Sequence, residues 1–135
     1  MDRLLDTGRS GPLYLRRTEI ARLVQGQLRR VETDARRTID AYVIMPNHVH
    51  LLCTPRIELP LLVRLLKGPT ALGADRLLNR QGPFWQEEYF DRFVRNDTEH
   101  RQIRRYIERN PVHAALAARP EDFPRSSAYS GAGRG

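Results

Sequence analysis

Residues 38–54 constrain the fold more than any other stretch of this chain. Ile39, Ala41, Val43 and Met45 alternate with other positions, Pro46-Asn47 supplies a turn, and His48-Val49-His50-Leu51-Leu52-Cys53-Thr54 resumes a strand pattern. Alternation sends successive side chains to opposite faces, so the pattern predicts a β-hairpin. Helical spacing surrounds it. Ile20, Val24, Leu28 and Val31 follow a capping Thr18, and Asn96 with Glu99 resembles a capping box that opens a helix over 97–109. Leu59 to Asn79 is leucine-rich at helical spacing, but Gly68-Pro69 interrupts it and predicts a kink or two shorter helices. Gln81-Gly82-Pro83 reads as a turn and the aromatic run Phe84 to Val94 as a further strand. Residues 1–17, with Gly8, Gly11 and Pro12, read as a loop, and the tail from Pro120 as loosely packed.

The hairpin carries the first candidate chemistry. His48 and His50 share one strand face, while Val49, Leu51 and Cys53 take the other. Two imidazoles two residues apart on a rigid strand can chelate one metal ion. A pair of half-exposed sheet histidines with no such role fits the spacing equally well. Cys53, the single cysteine, falls on the opposite face and reads as core.

Charge narrows the partner. A net charge of +7 points to a polyanion, nucleic acid first. Of the 23 basic residues only Lys67 is a lysine, and the planar guanidinium fork of arginine suits phosphate. A codon bias toward arginine explains that ratio too, though not the excess of positive charge. Six arginines lie between 92 and 109: Arg92, Arg95, Arg101, Arg104, Arg105 and Arg109, opposed only by Asp97, Glu99 and Glu108. Within that run Tyr106 and Asn110 stand one helical turn apart on one face. Ile103 and Ile107 share the face, so Tyr106 is either a packed ring or a nucleophile flanked by cations. Neither Gly-x-x-x-x-Gly-Lys-Ser/Thr nor Gly-x-Ser-x-Gly occurs, which argues against a P-loop NTPase and a nucleophile-elbow hydrolase. No run of about 18 apolar residues suggests a membrane span, and the first residues do not resemble a signal peptide. A cytoplasmic protein is expected.

Three segments, taken together, resemble a known family. Tyr-Val-Ile-Met-Pro-Asn-His-Val-His-Leu-Leu (42–52), Gly-Pro-Phe-Trp-Gln-Glu-Glu-Tyr-Phe-Asp (82–91) and Arg-Arg-Tyr-Ile-Glu-Arg-Asn-Pro-Val (104–112) are similar, in order and spacing, to motifs of the REP-associated tyrosine transposases. These are single-tyrosine transposases with a His-hydrophobic-His motif. The resemblance runs from about residue 5 to 128. It implies an α+β, ferredoxin-like or RRM-like antiparallel sheet with helices on one face, forming a single catalytic domain over 1–128 with a flexible tail at 129–135. The family begins with a strand that should already have ended where this chain starts, so the expectation is either a sheet without that first strand or a truncated or misassigned start.

The resemblance further implies metal-dependent cleavage and transfer of single-stranded DNA, at hairpin or repeat elements, through a 5′-phosphotyrosine link. Tyr106 would be the nucleophile and His48, His50 and Asn110 the ligands of a divalent ion, Mg2+ or Mn2+. Lys67, Arg95, Arg104, Arg105 and Arg109 would contact the DNA, and the protein would act as a monomer or homodimer. The competing expectation is a domesticated module that grips hairpin DNA without cutting it, its catalysis lost with the strand.

Overall fold

The computed structural model describes residues 3–7, 14–34, 38–54, 59–79, 84–85 and 89–130. Its main elements run β1 (Arg3–Asp6), α1 (Thr18–Asp34), β2 (Thr38–Met45), β3 (His48–Thr54), α2 (Leu59–Leu78), β4 (Phe90–Phe93) and α3 (Asp97–His113). The four strands form one sheet in the order β2-β3-β1-β4, with every pairing antiparallel. This is the expected α+β class. Gly8, Gly11, Pro12, the Gln81-Gly82-Pro83 turn and residues 131–135 of the expected tail lie outside the described residues.

Two expectations need correction. The first strand is present, and it is central: β1 pairs with β3 on one side and β4 on the other. Nor do the helices share one face. Leu5, Ile44, Val49, Leu51 and Cys53 form a core with α1 and α2. Ala41, Val43, Met45 and Leu52, pointing the other way, pack against Ile103 and Ile107 of α3. Both strands of the hairpin are therefore largely apolar on both faces, and the two histidines and Asp40, which pairs with His100 at 3.2 Å, interrupt that pattern.

The leucine-rich helix also departs from expectation, because α2 continues unbroken through Pro69. A proline inside a helix leaves the carbonyl four residues earlier without its donor. Here that carbonyl belongs to Leu65, and Gln27 Nε2 of α1 donates to it at 2.7 Å. At the next residue, the wholly buried Thr70 hydroxyl donates to the Leu66 carbonyl at 2.8 Å and accepts from Trp85 Nε1 at 2.9 Å. Thr70→Val would keep the shape but leave the Trp85 N–H buried without an acceptor. Urea denaturation should show a loss of about 1–3 kcal/mol.

The segment after α3 is more ordered than its composition suggests. Ile44 N donates to Arg125 O at 2.8 Å, Ser127 N to Tyr42 O at 3.0 Å, and Tyr42 N to Ser127 Oγ at 3.0 Å. These bonds satisfy the outer edge of β2, which would otherwise stand open to pairing with another chain. The expected strand over 84–94 shrinks to β4, because Phe84 and Trp85 turn into the core under α1 and α2.

Candidate active site

On the α3 side of the sheet, Val43, His50, Asp6 and Phe90 lie opposite one another across the four strands. His48 and His50 are brought together on that face, with their rings perpendicular and centroids 4.6 Å apart. His48 Nδ1 donates to Asn47 Oδ1 at 2.8 Å, so its Nε2 carries the lone pair. That lone pair faces His50 Nε2 at 2.9 Å. Behind His50, Asp6 Oδ2 lies 3.8 Å from Nδ1. Suitable atoms of Asp6, His48 and His50 all fall within 4.8 Å of one another, an arrangement compatible with a metal ion.

The protons of this cluster conflict when it is left to itself. If His50 Nε2 carries the hydrogen, it satisfies His48, but the Nδ1 lone pair then faces a carboxylate in a buried spot with no hydrogen-bond partner. If Nδ1 carries the hydrogen, Asp6 is served and two Nε2 lone pairs oppose each other. A cation shared by the two Nε2 atoms removes the conflict. Ligands at about 2.1 Å on perpendicular axes lie about 3 Å apart, close to the separation found. Burial pushes the His50 pKa below its ordinary value, with the Asp6 charge partly opposing it. Below that ordinary value the imidazole thus resists protonation and keeps the neutral form a metal requires.

α3 brings the tyrosine to the same place. Asn96 caps the helix, its Oδ1 accepting from Glu99 N at 2.9 Å. Ile103 and Ile107 form its buried stripe, but Tyr106 is not part of it. Tyr106 is 53% exposed, and its ring centroid lies 6.0 Å from that of His50. The packing alternative is thereby weakened, since more than half of the side chain packs against nothing. Asn110 sits one turn further on; Pro111 does not end the helix, which runs to His113. Among the described residues the Asn110 side chain makes no hydrogen bond, and its carbonyl accepts from Ala114 N at 3.0 Å.

The arginines divide. Arg101, Arg105 and Arg109 line, with Tyr106, an open concavity of about 420 Å3. Among the described residues Arg105 and Arg109 enter no ion pair. Arg104 pairs with Glu108 at 3.4 Å, and Arg95 with Glu99 at 3.7 Å. Lys67 lies on α2, across the sheet from the histidines, with its Nζ 6.0 Å from the Trp85 ring. The structure therefore gathers His48, His50 and Tyr106, flanks them with Arg105 and Arg109, and leaves Lys67 elsewhere. Asp6 was missed by the sequence reading, which took its segment for a loop. The one local signal was the Arg-Leu-Leu-Asp pattern at 3–6.

Residues 14–110 match the family described as Transposase IS200 like. This chain is an IS200-like transposase. The match contains the hairpin, Tyr106 and Asn110, while Asp6 precedes it. Two solved structures share the fold. A REP-associated tyrosine transposase bound to a REP hairpin superposes with a TM-score of 0.76 at 19% identity, over 93% of this chain and 75% of that one. A candidate transposase from Deinococcus radiodurans R1 gives 0.57 at 26% identity, over 80% and 88%. No curated protein matches the chain. Among the described residues of the transposase, no helix is long and apolar enough to cross a membrane.

Proposed function

We propose that this transposase cleaves single-stranded DNA beside a hairpin and transfers the cut strand through a covalent link to Tyr106. The observation that carries the reading is the exposed Tyr106 ring 6.0 Å from His50, beside the facing Nε2 atoms of His48 and His50. The Tyr106 oxygen attacks the scissile phosphorus and forms a phosphotyrosine bond to the 5′ end of one fragment. The bond to the 3′ oxygen breaks, and that oxygen takes up a proton as the phenol loses one. Because one phosphate ester replaces another, the bond energy is conserved for rejoining without ATP. Arg105 and Arg109, which have no carboxylate partner among the described residues, hold the flanking phosphates, while Arg95, Arg104 and Lys67 are more peripheral contacts.

His48, His50 and Asn110 would hold a divalent ion, with Asp6 behind His50 fixing its tautomer. When bound, such an ion supplies Lewis-acid stabilisation of the charge developing on the phosphate. Two imidazoles favour Mn2+ over Mg2+, which prefers oxygen ligands. A hairpin target agrees with the solved relative, whose DNA is a REP hairpin. The binding-only alternative rested on a missing strand, and β1 is in place.

The test incubates the protein with Mn2+ and a labelled DNA hairpin carrying single-stranded flanks, then denatures. We expect a covalent adduct, with mass spectrometry placing the nucleotide on the Tyr106 peptide. Binding without any adduct in Mn2+ or Mg2+ would favour the silent module.

A further inference from the structure

On the sheet face that carries the histidines, α3 rests chiefly on β2 and β3. Among the described residues, β4 has β1 as its principal partner, so the far side of that face stands open. Phe90 occupies it. Its neighbour Tyr89 packs against the core beneath α1 and α2, and alternation turns Phe90 to the opposite face, in the row Val43, His50, Asp6, Phe90. The Phe90 side chain is 64% exposed.

A single exposed apolar side chain is ordinary on a protein surface. Phe93 is an example: it is 54% exposed on the other face, with the Arg3 guanidinium 3.9 Å from its ring centre. Phe90 differs in its place. It adjoins Asp6, which adjoins His50, so it lies two strand spacings, about 10 Å, from the histidine. That is the length of about three stacked nucleotides.

Charge decides which part of a DNA strand meets the ring. Arg105 and Arg109 line the concavity beside Tyr106 and attract phosphate. Beside Phe90 stands the partly exposed Asp6 carboxylate, which repels it. Phosphates are thus drawn toward α3, and the bases are left toward β4, where an exposed ring offers a flat apolar partner.

We propose that Phe90 is a stacking platform for one base of the single-stranded flank, within about three nucleotides of the phosphate that Tyr106 attacks. The inference rests on the DNA-cleaving function proposed above and names the residue that holds the flank. A paired stem keeps its base faces in its own stack, so the ring selects unpaired nucleotides.

The test measures fluorescence anisotropy on DNA hairpins with a single-stranded flank, either intact or with an abasic site at successive flank positions. In the parent, one abasic position should weaken binding about five- to a hundredfold, the range for one lost base–aromatic stack. Phe90→Ala should lose a similar factor on intact DNA and become indifferent to that abasic site. Phe90→Trp should bind as tightly as the parent, and so should Phe93→Leu on the other face. The slope of the salt dependence should not change in Phe90→Ala, because no phosphate contact is removed, and its melting temperature should stay close to that of the parent. Additive losses from Phe90→Ala and the abasic site, or no loss at all, would overturn the assignment. So would a dimer of the parent, seen by analytical ultracentrifugation, that Phe90→Ala dissociates, since a second copy would then cover the ring. Coupled losses without any Tyr106 adduct would uphold the platform and defeat only the cleavage reading. An adduct accompanied by additive losses would do the reverse.

Discussion

Tyr106→Phe should abolish the covalent protein–DNA adduct while leaving folding and hairpin binding intact. The substitution removes one hydroxyl from a side chain that is 53% exposed. Stability should therefore change by no more than about 0.5 kcal/mol, as at other surface positions. A packed tyrosine predicts the opposite pattern, with a measurable loss of stability and no change in chemistry. The ring contact with His50 survives in phenylalanine, so the histidine pair should keep its metal affinity. Denaturing gel electrophoresis after incubation with Mn2+ and labelled hairpin DNA reads the adduct, and thermal melting reads the fold. An adduct that persists in Tyr106→Phe would show that another residue attacks.

The second large effect concerns the metal. His50→Ala removes one of the two facing Nε2 atoms, and titration calorimetry with Mn2+ should then show no binding. Asp6→Asn leaves both imidazoles but weakens the acceptor behind His50 Nδ1, 3.8 Å away. Loss of such a supporting carboxylate should reduce metal affinity about 10–100-fold, with circular dichroism unchanged. If Asp6→Asn binds Mn2+ as tightly as the parent, Asp6 serves the sheet and not the site. A variant that also loses its circular dichroism would place Asp6 in the fold instead.

What the sequence revealed follows the range of the interactions involved. The β2–β3 hairpin, α1 and the capped start of α3 depend on alternation, helical spacing and a cap, all properties of adjacent residues. β1 does not. It offers two leucines between an arginine and an aspartate, and it becomes a strand because β3 and β4 supply partners on both sides. Missing the strand meant missing Asp6, so an error in secondary structure became an error in the site. Pro69 gave a similar result: its local rule is sound, but Gln27 on another helix supplies the missing donor. Tyr106 was legible as a choice between packing and chemistry, and the exposure of its ring together with its closeness to His50 favours chemistry.

The central place of β1 bears on how the molecule comes to exist at all. The hairpin can close within 17 residues (54 − 38 + 1). The pairing of Arg3 with Phe93, by contrast, must bring together positions 90 apart in the chain (93 − 3). Loop-closure entropy makes such distant pairings late events in folding. The histidines can thus be aligned on their hairpin early, while Asp6 joins them only as the sheet closes around β1. A half-folded chain would carry two facing imidazoles with the tautomer of His48 set by Asn47 but that of His50 left open. The proposed ability to cut DNA would then be the last property the protein acquires, and the first it loses when β1 detaches.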